Sequence, residues 1–237
     1  TKSITLINNV DSILVTKKLK MQKREAIIDL SKELNICARK ITGCLQIIHY
    51  NFKQTEEACV RAREVFIGIR AKYCQIRAIL QVNDYYRFQP IWRPSTLQLC
   101  FLSMLIIYLE KGELGTPQDV ADVMGLKVIE ETSPRLTLAI EVYFNAFILL
   151  TSELSRLAVS CGSQGNFDKS MDVCTFVLQT AGNIRQLNVH NEVLRKKIHN
   201  LKHDVIKVET TMYDLKVKRI LHSDPERVRM LRSGNIR

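Results

Sequence analysis

The feature that most constrains this chain is the stride between its apolar residues. From Ile27 they fall at Leu30, Leu34, Cys37, Ile41, Cys44 and Ile48, in steps of three and four. That stride marks one face of an α-helix. A second stripe runs through Val60, Phe66, Ile69, Tyr73, Ile76 and Leu80, and a third through Leu136, Leu138, Ile140, Phe144, Phe147, Leu150, Leu154 and Leu157. Residues that break helices are scarce, with nine Gly and five Pro in 237 positions. A β-rich chain of this length needs many turns, so the scarcity favours long helices. A hydrophobic share of 46% supplies a core. The expected fold is all-α, a single domain of about seven helices over residues 1–237, with a core at about 19–220 and a basic tail at 221–237.

The breaks set the element boundaries. One helix runs from Leu19 to about His49 and a second from about Glu56 to Leu80. Asn83-Asp84 can cap a third, in which Pro90 and Pro94 must kink or interrupt the helix because each lacks a backbone donor. Gly112 and Gly115 end it. Thr116-Pro117 opens a short helix as cap and first residue, stopping near Gly125. Ser133-Pro134 opens another that reaches about Cys161. After a loop at Gly162–Asn166, a helix covers about Asp168–Thr180, and Gly182-Asn183 separates it from a final long helix, Ile184 to Leu215.

That final segment carries a heptad seam. Ile184, Asn191, Ile198, Val205 and Met212 stand seven apart, and Leu187, Leu194, Leu201, Val208 and Leu215 follow each by three. This is an a/d register over five heptads, with Asn191 as a polar a residue that can fix register. The spacing serves a partner subunit or a neighbouring helix of the same chain. Ile206 and Tyr213, at b positions, predict burial on more than one side. His199 and His203 have metal-ligand spacing but fall on the outer face. Glu192 and Lys196 form an i, i+4 pair.

The net charge is +11, from 35 Lys+Arg against 24 Asp+Glu. Such a surplus suits a polyanionic partner, or simply a soluble basic protein. The stretch Lys216–Arg237 holds seven basic and two acidic residues. Seven cysteines show no two-residue spacing of a zinc or redox site and read as reduced core residues, which argues for a reducing compartment. No signal peptide is expected, and the apolar run Leu97–Leu109 is shorter than the roughly 20 residues a bilayer needs. There is no phosphate-binding glycine loop and no Glu-x-x-His pair. Glu141 and Glu153 interrupt apolar stretches, but Arg156 three residues after Glu153 favours an ion pair. Basic residues gather at Arg61, Arg63, Arg70, Lys72 and Arg77. A further segment interleaves Tyr85, Tyr86, Phe88 and Trp92 with Arg87 and Arg93. Aromatics and arginines in that order can stack on unpaired bases and hold phosphates, or be core rings beside surface charges.

Longer motifs narrow the choice. Tyr85-Tyr86-Arg87-Phe88, Trp92-Arg93, Phe101-Leu102 and Tyr108-Leu109-Glu110 resemble the third helix of the translin family. Arg61-Ala62-Arg63-Glu64 with Phe66 is similar to its second helix, and Ser152-Glu153-Leu154-Ser155-Arg156-Leu157 to its fifth. Leu187-Asn188, Leu194-Arg195-Lys196, Leu201-Lys202, Asp204-Val205, Lys207-Val208-Glu209 and Tyr213-Asp214-Leu215 resemble its last. The likeness covers about Ile27–Lys218. It implies a seven-helix fold, ring-like homo-octamers, and binding of single-stranded RNA and DNA through Arg61, Arg63, Arg87, Phe88, Gln89, Pro90, Ile91, Trp92 and Arg93, helped by Arg195, Lys196 and Lys197. It also implies a scaffold role beside translin-associated factor X in a small-RNA-processing endoribonuclease, in the cytoplasm and nucleus and with no membrane partner. Three acids of that partner's magnesium site fall on Gln98, Phe101 and Leu149 here. Only Glu153 remains an acid, so the resemblance implies a non-catalytic subunit with no cofactor of its own, Mg2+ entering only with the catalytic partner. The alternatives are a weak metal-dependent endoribonuclease using Glu153, and a protein-only helical adaptor. Two departures stand out. The family's Arg-Phe-His-Glu-His segment reads Arg87-Phe88-Gln89-Pro90-Ile91, and its zipper starts one heptad earlier, where this chain has Thr180.

Overall fold

The computed structural model describes residues 2–81, 84–128, 136–186 and 191–223, with side chains from residue 14 to 219 within those segments. Seven α-helices are seen among the described residues: α1 Lys2–Leu45, α2 Thr55–Ile79, α3 Tyr85–Lys111, α4 Pro117–Met124, α5 Ile140–Ser163, α6 Phe167–Arg185 and α7 Glu192–Ser223. Two 3-10 turns, Gln46–His49 and Phe52–Gln54, join α1 to α2. Strands β1 (Lys127–Val128) and β2 (Thr137–Leu138) form one short parallel pair. The contacts gather into two compact units, Thr1–Leu45 with Glu56–Ala146, and Gln46–Thr55 with Phe147–Arg237.

In the first unit α3 is the centre. Every residue from Leu99 to Tyr108 is buried, which is what a helix enclosed on all sides requires. α2 runs antiparallel to it: Tyr73 donates to Thr96 Oγ1 at 3.0 Å, and Arg63 meets Glu110 near the other end. α1 packs along α3 through two small polar residues. Ser31 Oγ lies 3.0 Å from Ser95 Oγ and donates to the Ile91 carbonyl at 3.0 Å, and both serines are buried. Small side chains let the two backbones approach, and their hydroxyls satisfy each other. Pro90 and Pro94 sit inside α3 without interrupting it. One turn apart, they remove two donors on one stripe and leave the remaining ladder to carry the helix.

α4 is tied to α2 by arginines. Thr116 and Asp119 form a capping box behind Pro117. At the other end Arg70 Nε donates to the Val123 carbonyl at 3.1 Å and Arg77 to the Gly125 carbonyl at 3.4 Å. Two of the basic residues on α2 are thus engaged with helix-end carbonyls, which also suits the negative end of the α4 dipole. Leu136 and Leu138 precede α5 instead of belonging to it. They are buried with the two-residue period of the β2 segment. The expected helix start at Ser133-Pro134 and the cap at Asn83 lie outside the described residues.

In the second unit α5 and α7 run parallel, with α6 antiparallel to α7. Ser152 donates to Asp204 at 2.6 Å, Leu215 lies against Gly162, and Arg219 meets Asp168 at 2.8 Å. Two boundaries differ from the sequence expectation. α6 continues through Gly182-Asn183 to Arg185, because Ala181 and Ile184 are both buried and hold its last turn in place. The final helix begins at Glu192. Asn191 is its cap, accepting from the Val193 and Leu194 amides at 3.0 and 3.1 Å, and is not a polar a residue. Ile184 belongs to α6, and Leu187 lies outside the described residues. Leu194, Leu201, Val205, Val208 and Leu215 are buried, Ile198 and Met212 half-buried. The seam packs within its own chain. Ile206 and Tyr213 are 49% and 69% exposed, so among the described residues α7 is buried on one side only.

α3 and α5 are long and apolar enough to cross a membrane, but most of each apolar window is buried inside the protein, as in a core helix. The run Leu97–Leu109 is thus part of a longer apolar helix than the run alone implied. Cys59, Cys100, Cys161 and Cys174 are buried, Cys37 and Cys44 half-buried and Cys74 exposed. Burial pushes the Cys100 thiol up to about 12 and that of Cys174 to about 11, keeping both protonated.

Gly125 has φ 71°, and a Cβ there would stand 2.7 Å from Arg70 Cγ. Gly125→Ala is expected to lower stability by about 1–3 kcal/mol in urea unfolding, from left-handed strain and the displaced Arg70. Gly182→Ala, inside α6 with nothing within 4 Å of the added carbon, is expected to raise it by about 0.5–1 kcal/mol.

Candidate nucleic-acid interface

A cleft of about 800 Å³ lies between the N-terminal half of α1 and the first turns of α3, both in the first unit. α1 lines it with Thr16, Lys17, Lys20, Met21 and Arg24, and α3 with Arg87, Phe88, Pro90 and Ile91. Its four cations have no carboxylate partner within 4.0 Å among the described residues. Arg87 lies with its Cζ 5.7 Å from the centre of the Phe88 ring, which forms part of the cleft wall. The nearest pairing on its edge is Lys23 with Asp84, at 3.2 Å. Four unpaired cations in a concave, low-dielectric wall concentrate positive potential.

The cleft gathers part of the predicted set. Arg87, Phe88, Pro90 and Ile91 line it, with Gln89 half-buried beside them. Phe88 and Trp92 are each 3% exposed, and the Tyr85 ring lies tilted against Trp92 with centroids 5.9 Å apart. These rings pack α3 and present no open face to a base; Tyr86 is the exposed aromatic of the segment. Arg93 is held by Glu141 at 2.8 Å.

Arg61 and Arg63 are elsewhere. Arg61 pairs with Glu57 at 3.5 Å, and Arg63 makes two 2.6 Å bonds to the Glu110 carboxylate, which hold its guanidinium proton more tightly. Glu110 is about 35 Å along α3 from Arg87, at a rise of about 1.5 Å per residue. Arg61 and Arg63 therefore do not form one cluster with Arg87. In the second unit, Arg195 pairs with Glu192 at 3.5 Å, Lys196 is exposed and Lys197 half-buried. The expected Glu192–Lys196 pair is replaced by this i, i+3 contact. His199 and His203 are exposed.

Lys17, Lys20 and Arg24 were not among the predicted residues, yet a signal for them exists. The inward stripe of α1, read backward from Ile41, is Ala38, Leu34, Ser31 and Ile27. The same alternation of three and four continues to Arg24, Lys20 and Lys17. The stripe that packs on α3 turns cationic where the cleft begins.

Glu153 stands apart as a tether within the second unit. Its Oε1 lies 2.7 Å from His49 Nε2 and 2.6 Å from Arg156 Nη2. The predicted Arg156 partner is present; His49, far away in sequence, was not foreseeable from local spacing. The His49 ring also lies 3.3 Å from Ser160 Oγ, and its carbonyl accepts from Gln164. Burial raises the Glu153 carboxyl, but hydrogen bonds from His49 and Arg156 and their charges outweigh it and hold the group below the usual carboxylate range. Among the described residues no three His, Cys, Asp or Glu side chains gather closely enough to hold a metal. The lowered group contributes stability above its ordinary value near 4.5, and that contribution is lost as pH falls through the lowered value. Glu153→Gln is expected to cost about 2 kcal/mol at neutral pH. The gap to wild type should close in acid, as read by unfolding midpoints across pH.

Comparison with known proteins identifies the fold and the family. The Translin family model matches residues 22–219. The translins of Mus musculus and Homo sapiens are each 32% identical over 197 residues, covering 82% of this chain and 86% of theirs. A solved structure of AfC3PO in complex with duplex RNA superposes with a TM-score of 0.62 at 15% identity, over 90% of this chain and 98% of that one, which speaks for the fold. The apo crystal structure of NeC3PO gives the same TM-score at 11% identity, over 88% and 96%. With the family model matching most of its length, this chain belongs to the translin family.

Proposed function

We propose that this chain is a single-stranded RNA- and DNA-binding, non-catalytic subunit of a ring-like homo-octamer. In this reading it is the scaffold of a small-RNA-processing endoribonuclease formed with translin-associated factor X, in the cytoplasm and nucleus. The observation that carries it is the α1–α3 cleft, where Lys17, Lys20, Arg24 and Arg87 converge without carboxylate partners among the described residues. Phosphates supply the missing charge. Family membership supports the same reading, as does the duplex RNA bound by AfC3PO, a protein of similar fold.

Self-assembly is supported by α7. Ile206, Tyr213 and Val217 share one outward face and are 49%, 69% and 36% exposed, an apolar surface that a second subunit would cover. The scaffold role is supported by the donor sets. A hard cation such as Mg2+ takes oxygen ligands, usually carboxylates. Gln98, Phe101 and Leu149 offer no carboxylate, and Glu153 is engaged by His49 and Arg156. These residues do not fit a magnesium ion, which is assigned to the partner. Magnesium-dependent cleavage by the purified chain that vanished in Glu153→Gln would overturn the non-catalytic reading.

Replacing Arg24 and Arg87 together by alanine is expected to weaken binding of a single-stranded RNA roughly ten-fold at low salt. The slope of log affinity against log salt should flatten by about 1.4 for two lost phosphate contacts. Arg63→Ala, which breaks the Glu110 pair, should leave affinity within about two-fold and lower stability by less than about 1 kcal/mol. Unchanged affinity in the double variant would sink the site. Light scattering with and without oligonucleotide tests the ring: a discrete multi-subunit particle that binds the strand supports it, and a monomer overturns it.

A further inference from the structure

The charge in the cleft is arranged in a way that limits what the ligand can be. On α1 the three cations continue the packing stripe, so they lie on the α3 side of the helix while remaining exposed. Lys17 to Lys20 spans about 4.5 Å of helix and Lys20 to Arg24 about 6 Å. Lys17 and Lys20 precede residue 22, where the family match begins. Arg87 faces them from α3.

The chemistry of the lining is one-sided. Lysine and arginine only donate. The remaining wall is chiefly hydrocarbon, from Met21, Phe88, Pro90 and Ile91, with the Thr16 hydroxyl as its one other side-chain polar group and no carboxylate or side-chain amide. Cations can donate to a guanine edge, but recognising the amino groups of adenine and cytosine takes a carboxylate or amide acceptor, and the wall has neither. Stacking takes an open aromatic face; Phe88, Trp92 and Tyr85 are buried, and the exposed Tyr86 is not part of the cleft lining. What remains is attraction to closely spaced phosphates.

We infer that the α1–α3 cleft is a base-indifferent track for a polyphosphate or phosphodiester backbone, to which Lys17 and Lys20, ahead of the matched segment, add a cationic wall. This rests on the nucleic-acid reading above and narrows it to the backbone. The track holds DNA and RNA strands alike and exchanges them for any flexible chain of phosphates. Its affinity comes from counterion release, so salt weakens every strand in parallel.

The test uses the full chain and four labelled strands of equal length: oligo-dT, oligo-dC, oligo-U and a mixed-sequence RNA. Binding is measured over a salt series for wild type, Lys17→Ala plus Lys20→Ala, and Arg87→Ala, with long-chain inorganic polyphosphate and monophosphate as competitors. Both lysines are exposed on a helix and alanine favours helix, so circular dichroism should not change. The lysine pair should lose roughly ten-fold affinity for all four strands and flatten the salt slope by about 1.4. Polyphosphate should displace every strand and monophosphate none. An unchanged slope in the lysine variant, while Arg87→Ala still weakens binding, would overturn the added wall and leave the nucleic-acid reading standing. A loss confined to one strand, or failure of polyphosphate to compete, would overturn base indifference. Wild type that bound no strand would remove the parent reading as well.

Discussion

The enclosure of α3 is the constraint on which the first unit depends. A helix with ten consecutive buried residues can exist only if other elements cover all of its sides. α1 and α2 do this with different contacts. α2 uses a buried Tyr73–Thr96 hydrogen bond and a bidentate Arg63–Glu110 pair, and α1 uses the Ser31–Ser95 contact. Each polar group on this surface is satisfied: among the described residues no buried side-chain nitrogen or oxygen lacks a partner. The close α1–α3 approach at the serines also sets where the two helices stop packing. Beyond Ile27 the stripe on α1 is cationic, cations cannot fill a core, and a cleft results.

The same logic separates two kinds of arginine. Arg63, Arg70, Arg77 and Arg93 meet carboxylates or helix-end carbonyls, and their charge is spent within the fold. Arg24 and Arg87 meet none among the described residues and remain available to a ligand. A net charge of +11 does not distinguish them. Neither does position on a helix, since Arg87 and Arg93 are less than two turns apart and have opposite fates.

In the second unit one carboxylate joins two distant parts of the chain. Glu153 draws the turn at His49 onto α5, and Gln164 closes the same turn from its carbonyl side. Replacing the acid by a neutral amide would leave the histidine and arginine without a shared counter-charge. The carboxylate thereby ties the His49 turn to α5.

Helix number and type were legible in the sequence because a 3.6-residue period over long, glycine-poor segments has one compact solution. The Thr116 cap of α4 and the Glu153–Arg156 pair were legible for the same reason: they are local. The helix starts at Ile140 and Glu192 were not, because Leu136, Leu138 and Asn191 fit a helical period as well as a strand or a cap, and only packing and amide hydrogen bonds decide between them. The five-heptad spacing at Ile184–Leu215 was real but crossed two helices. By itself the sequence determined an all-helical chain with surplus positive charge and a set of aromatic and basic segments. The tertiary structure decided which aromatics were core and which arginines were paired. It also decided that the cations of α1, more than sixty residues from Arg87, share a cleft with it, because burial and ion pairing depend on neighbours brought together only by folding.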